Sequence, residues 1–201
     1  IQGKNTIKSD NTKHNVTIMA EEFPAHFRYS AIPKLSSYAY LKAQIQNITD
    51  YPILPGKAGV FFDNAFIAES KLEFVAPGEK IWVFLGVDEG IKIDYKMIES
   101  YNKNKGIIKK KNKHIYQRVI SVKNNKKTEQ EIVIFDQLPI PKDELIKVEL
   151  MEPKNNYKGI QLKINDFSVL EWFTTLKPGR EIRIPLNFSV EYPQDRKIPN
   201  L

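Results

Sequence analysis

The residues able to do chemistry are few and scattered. The three histidines fall in a polar lead-in (His14), on the polar face of an alternating segment (His26) and at the end of a lysine-rich run (His114). No two share a ligand spacing, so each reads as a solvent-facing residue and no metal site is expected. The chain has no cysteine, which excludes disulfides, thiolate metal sites and cysteine nucleophiles. It carries no Asp-x-Asp calcium loop, His-Glu-x-x-His, glycine-rich phosphate loop or Gly-x-Ser-x-Gly. Those absences remove the motif-bearing enzyme classes and leave motif-free active sites open. Asp63 and Asp136, each closing a Val/Ile-Phe-Asp segment, are the carboxylates to try as an acid–base pair. Such a pair must share one cleft, roughly 5 to 10 Å apart. Equivalent ends of two separate units lie farther apart than that, so each aspartate reads as the cap of the turn after its strand. No catalytic residue, metal or cofactor is assigned.

The sharpest local anomaly is electrostatic. The net charge is +7, yet Tyr101 to Thr128 holds ten Lys or Arg and no acidic residue, so the rest of the chain is slightly acidic. Lys103, Lys105, Lys109, Lys110, Lys111, Lys113 and Arg118 form the candidate anion site, with Lys123, Lys126 and Lys127 extending it. Such a run engages phosphate or anionic polysaccharide, or else is simply a solvated loop. Only Tyr101 and Tyr116 interleave aromatics, too few for a single-strand stacking platform, so nucleic acid is not an expected partner. Ile107-Ile108 within the run is an apolar pair that a purely solvated loop would not need. Strands at about 91–99 and 114–123, joined by a mobile loop at 102–112, are expected.

The elements that would position these residues are strands. Ala25, Phe27, Tyr29 and Ala31 alternate with polar residues, as do Ile91, Ile93, Tyr95 and Met97, then Ile146, Val148 and Leu150, then Ile182 to Val190. No long window sustains a helical period, and the one helical opening, at Pro141 to Glu144, runs into period-two residues. Two stretches repeat one plan: Asn47, Val60-Phe61-Phe62-Asp63, Ala76-Pro77-Gly78-Glu79 and an apolar run, then Asn124, Ile132 to Asp136, Lys177-Pro178-Gly179-Arg180 and a second alternating run. Pro-Gly suits a type II turn, in which proline presets the first central φ and glycine accepts a positive one. The fold class expected is all-β, as two tandem Ig-like antiparallel β-sandwich modules: 1–101 (with 1–13 a partly ordered lead-in), a basic loop or linker at 102–113, and 114–201. Most phenylalanines and tyrosines belong in their cores. Trp82, in a continuous apolar run, reads as core; Trp172 is the tryptophan left to stack on a sugar. Sequons at Asn15, Asn47 and Asn187 occur at close to chance frequency in so asparagine-rich a chain.

Several segments in order resemble one family: Ala31-Ile32-Pro33-Lys34-Leu35-Ser36, Asp50-Tyr51-Pro52-Ile53-Leu54-Pro55-Gly56, Val75-Ala76-Pro77-Gly78-Glu79, Asp136-Gln137-Leu138-Pro139, Leu176-Lys177-Pro178-Gly179 and Val190-Glu191-Tyr192-Pro193. They are similar to the C-terminal region of the mucoidy inhibitor A-like family, from about residue 14 onward. The resemblance implies a domain of unknown function that follows an N-terminal domain and a coiled coil, and it carries no catalytic residue. It also implies that the chain, which begins without Met, is part of a longer protein whose targeting signal would lie outside it. A bacterial envelope or extracytoplasmic setting is the one favoured.

Three functional readings stand at this point. The first is a non-catalytic binding or scaffolding region, with a protein partner or self-association through regions outside the fragment. The second is a polyanion- or polysaccharide-binding module that uses the basic 103–127 segment. The third is an enzyme with its site in a groove between modules. No apolar run approaches the roughly 18 residues of a membrane helix.

Overall fold

Period-two patterning becomes strand throughout, because alternation lets a strand bury one face and solvate the other. The computed structural model describes residues 9–17, 20–62, 64–105 and 111–196, with backbone alone at Ala68 and 102–105. The expectations placed on Asp63 and on 106–110 lie outside the described residues. Before the lysine-rich turn come β1 (Ala25–Ala31), β2 (Tyr40–Gln46), β3 (Gly56–Phe62), β4 (Ala65–Leu72), β5 (Lys80–Val87) and β6 (Ile91–Lys105). After it come β7 (Lys111–Asn124), β8 (Gln130–Gln137), β9 (Lys147–Glu152), β10 (Gln161–Ile164), β11 (Val169–Leu176) and β12 (Glu181–Pro193). Among the described residues there is no helix. The helical opening at 141–144 is a turn, in which Asp143 accepts hydrogen bonds from the Leu145 and Ile146 amides.

The strands form a six-stranded sheet in the order β10-β11-β8-β1-β2-β5, a four-stranded sheet β6-β7-β12-β9 and a ribbon β3-β4. The class is all-β, with two mainly antiparallel sheets facing one another as in a sandwich. Tyr29, Ile132, Ile134, Leu170 and Trp172 from the larger sheet meet Tyr116, Ile120, Ile184, Leu186 and Phe188 from the smaller in one core. Tyr116 stacks on Phe188 with ring centroids 4.9 Å apart. Trp172 is fully buried, so its truncation to alanine costs about 3–5 kcal/mol.

Two features depart from the sequence expectation. Hydrogen bonding does not divide the chain at 102–113, because β1 and β8 pair in parallel, Tyr29 opposite Ile132 and Ala31 opposite Ile134, and fuse strands of both halves into one sheet. Nor are 102–105 and 111–113 loop or linker. β6 and β7 continue through them, with Lys103 opposite Lys113 and Lys105 opposite Lys111. Lys113 is neutralised from the neighbouring strands by Glu191 and Glu149, which relieves the repulsion that would otherwise part the hairpin.

The repeated plan does have a physical basis, in two buried asparagines. Asn47, 1% exposed, donates from its amide to the carbonyls of Tyr51 and Val75, while its Oδ1 accepts from the Thr49 amide. Asn124, fully buried, donates to Thr128 and accepts from Lys126 at the same two offsets, and donates to Leu176, farther along the chain than Val75 is from Asn47. Each main chain then grips its Pro-Gly turn: Gly78 N–H to Asn47 C=O at 2.7 Å and Gly179 N–H to Asn124 C=O at 2.8 Å. The turn glycines adopt φ of 80° and 70°, the left-handed value that a type II turn demands at that position. Because both amide hydrogens of Asn47 are engaged, its sequon is closed to glycosylation in the folded chain.

Asn47→Ala and Asn124→Ala each strand one buried carbonyl, that of Val75 or Leu176, and remove the acceptor of a turn amide. Each is expected to lower stability by about 2–4 kcal/mol, read as a drop in the urea midpoint. Aspartate is expected to do no better, since it supplies no donor at neutral pH.

Candidate interaction surface

The described side chains of the basic run do not share one patch, because strand geometry sends them to different faces. In β7, Tyr116, Ile120 and Val122 point into the core and Arg118 lies between them on the same face, 4% exposed. Its Nη1 donates to the Tyr95 hydroxyl at 2.8 Å, and that hydroxyl donates to Asp136 Oδ2 at 2.9 Å. The guanidinium also lies over the Phe188 ring at 5.4 Å. Arg118 is therefore turned away from any anion at the surface. Asp136 is no turn cap: it sits inside β8, buried, opposite Leu170 of β11. Burial first, then the Asp136 charge, push Tyr95 up to about 12 against the pull of Arg118.

Lys113 faces outward but is spent on Glu191 at 3.2 Å and Glu149 at 3.6 Å. Lys126 bonds Asp88 at 2.5 Å and the Tyr29 hydroxyl at 3.0 Å, and that hydroxyl donates to Asp88. Burial works against charge on Asp88, but hydrogen bonds from Lys126, Tyr29 and the Gly90 amide outweigh it and hold the carboxyl below its usual range. Burial likewise opposes charge on Lys126, and Asp88 and Tyr29 more than offset it, so its pKa is raised. Lys111 is half-buried; Lys123 and Lys127 are exposed. The backbones of Lys103 and Lys105 lie in β6, while Lys109 and Lys110 fall outside the described residues.

The histidines stay apart. His14 bonds Asp10, His26 bonds Glu131, and His114 bonds Ser100 Oγ and packs on Tyr116, with burial lowering its pKa. Among the described residues no three histidines, aspartates or glutamates converge as metal ligands. A trough of about 800 Å³ runs over the outer face of β6, β7 and β12. Its floor is short (Val119, Ser121, Pro185), and its rim is occupied by ion pairs, Lys96 with Asp94 and Arg183 with Glu181.

The apolar surface is where the sequence reading erred most. Phe61 and Phe66, on the β3–β4 ribbon, are 65% and 60% exposed and meet edge to face at 5.4 Å. Phe62, Ile67, Phe74 and Leu54 are exposed as well. A bulge whose extra residue is Ile67 of β4 breaks the regular pairing: Val60, buried, lies opposite Ala68, while Phe61 falls opposite Phe66 and both phenylalanines are exposed. That break, two adjacent phenylalanines after an inward valine, was the available signal. The tryptophans also exchange roles, since Trp82 is 39% exposed under the Arg28 guanidinium and Trp172 is the buried one. β5 ends its sheet and shows one face to solvent, whereas Trp172 faces the core from a strand paired on both sides.

Comparison with known proteins gives a family and little chemistry. The family model described as "Domain of unknown function (DUF4139)" matches residues 1–194. The chain is similar to Protein F37C4.5 of Caenorhabditis elegans, 27% identical over 200 residues that cover 96% of this chain and 36% of that protein. It thus spans about a third of the length of that curated relative. No solved structure matches it.

The Asp88–Lys126 pair fixes a pH response. Because the folded carboxyl titrates below its unfolded value, its stabilisation is present above about pH 4 and is lost as pH falls through the depressed folded pKa. Asp88→Asn is expected to flatten the acid limb of stability against pH, measured by thermal melts from pH 2 to 6. For the basic run, Lys113→Gln is expected to lower stability by about 1 kcal/mol and leave heparin retention nearly unchanged. The triple change of Lys109, Lys110 and Lys111 to Gln is expected to do the reverse, eluting at lower salt with an unchanged melt.

Proposed function

This chain belongs to the DUF4139 family, and from that premise we propose that it is a non-catalytic binding and scaffolding region of a longer protein. The observation that carries the reading is the phenylalanine surface of the β3–β4 ribbon. Large aromatic side chains are the residues a fold most gains by burying. A contiguous exposed group of them on a ribbon marks a contact surface for another protein's apolar patch. The polar groups buried within the fold point the same way. Arg118, Tyr95 and Asp136, like Tyr29, Asp88 and Lys126, hydrogen-bond to one another across the two sheets. They act as ties and present no nucleophile to a cleft. The chain covers 36% of the nematode relative, which supports a place within a longer protein; the resemblance to the mucoidy inhibitor A-like family supports a C-terminal place, after a coiled coil.

The test is on the full-length protein. Phe61→Ser with Phe66→Ser is expected to abolish co-purification of its principal partner, identified by mass spectrometry, while the melting temperature moves by no more than a few degrees. Retention of the same partner at the same yield by the folded double variant would sink the proposal.

A further inference from the structure

The registers of β1, β2 and β5 bring three rows of side chains together on the outer face of the six-stranded sheet. Arg28 lies opposite Lys42, and Lys42 opposite Phe84. His26 lies opposite Gln44, and Gln44 opposite Trp82; Gln46 lies opposite Lys80. Residues directly opposite one another share a face, and the alternate residues Tyr29 and Leu41 turn into the core. A shallow hollow of about 240 Å³ at one end of this face is lined in part by His26, Gln44, Gln46 and Lys80.

Arg28 and Lys42 set like charges side by side, an arrangement that destabilises a sheet. Elsewhere such pairs have a carboxylate at hand. Lys92 faces Lys123, which in turn faces Glu181, and Lys57 faces Lys71 but bonds Glu69. On the outer face of β1, β2, β5 and β8 the one carboxylate is Glu131, and His26 takes it at 3.0 Å. Among the described residues Arg28, Lys42 and Lys80 bond no acceptor. The Arg28 guanidinium is nonetheless held in place, 4.4 Å from the centroid of the Trp82 ring, with its donors unspent. Cations that are adjacent, half-buried, fixed and unpaired are arranged for an anion supplied from outside.

We infer that this face takes an extended acidic segment of a partner protein. One carboxylate sits in the Arg28 fork beside Lys42, and a second, four residues on, meets Lys80. Lys80 lies two rows from Lys42, about 14 Å along the strands, which is the reach of four extended residues. The aromatic rings argue against a sugar or a base as occupant. A stacking ligand needs a free ring face, whereas Trp82 carries Arg28 and Phe84 packs on Tyr40 with centroids 5.8 Å apart. Three cations over that span also match carboxylates spaced along a peptide better than the closely spaced phosphates of a nucleic acid. The inference rests on the partner-binding reading, adds the chemistry of the partner, and uses none of the ribbon phenylalanines.

Titration of decaglutamate into the isotope-labelled chain, followed by NMR, tests it. At low salt the expected shifts fall on Arg28, Lys42, Gln44, Lys80 and the Trp82 indole, and they fade as salt is raised. Arg28→Gln with Lys42→Gln is expected to weaken binding at least about tenfold. Lys42→Gln alone weakens it several-fold and leaves the melting temperature unchanged or higher, because it relieves a repulsion; a merely structural lysine would lower it. Lys109, Lys110 and Lys111 changed together to Gln, and Phe61→Ser with Phe66→Ser, leave these shifts in place. Absence of binding overturns the inference, as do shifts confined to other surfaces or a folded Arg28→Gln, Lys42→Gln variant that keeps its affinity. Tighter binding of a heparin fragment or an oligouridylate on the same residues overturns it as well, by making the occupant a glycan or a nucleic acid. If decaglutamate fails while the ribbon variant still loses its partner, this inference falls and the partner-binding reading stands.

Discussion

A buried asparagine side chain, used twice, sets where each half of this molecule turns. The primary amide is the one neutral side chain that offers two donors and an acceptor at the end of a short stem. Asn47 and Asn124 use all three on backbone groups, among them the buried carbonyls of Val75 and Leu176. Each ties the end of one strand to the Pro-Gly turn that launches the strand beside it. The entry points of β5 and β12, and through them the registers of both main sheets, follow from that tie. An amide so placed would be costly if any of its hydrogen bonds were missing, and here each is made in both copies.

Two polar bridges then fasten the sheets to each other. Tyr95, Arg118 and Asp136 link β6 and β7 to β8. Tyr29, Asp88 and Lys126 link β1 to the segments flanking β6 and β7. Both bridges draw a cation from the lysine-rich stretch, and Lys113 is consumed by Glu191 and Glu149. The charge anomaly of the sequence is therefore in part an internal electrostatic frame. Acidic partners absent from the run itself arrive from β8, β9 and β12 and from the turn before β6.

The halves share a plan but differ in what covers it. In the second half β9 flanks β12 and β10 flanks β11. In the first half the β3–β4 ribbon is hydrogen-bonded as a separate two-stranded sheet and, among the described residues, β5 ends the six-stranded sheet. Exposed aromatic surface accordingly gathers in the first half, at Phe61, Phe62, Phe66, Trp82 and Phe84. That uncovered aromatic area is the surface on which the proposed binding role rests.

The local pattern determined a good deal by itself. Alternation from Ala25 to Ala31 and from Ile182 to Val190 dictated strands, the Pro-Gly pairs dictated the turns, and the shared asparagine, Val/Ile-Phe and Pro-Gly order showed the duplication. These are properties of neighbouring residues and of backbone sterics, so they survive without knowledge of the rest of the chain. What faces what was left to the tertiary structure. Alternation says that a strand has two faces; it cannot say which face meets another sheet, so Trp172 went to the core and Trp82 to the surface. A run of like charges reads as solvated until its counter-ions are found, and those of Arg118, Lys126 and Lys113 lie far away in sequence. The parallel pairing of β1 with β8 has no local signal at all. It arises only when the two halves dock, and burial of Tyr29, Ile132 and Ile134 against the four-stranded sheet is what holds it.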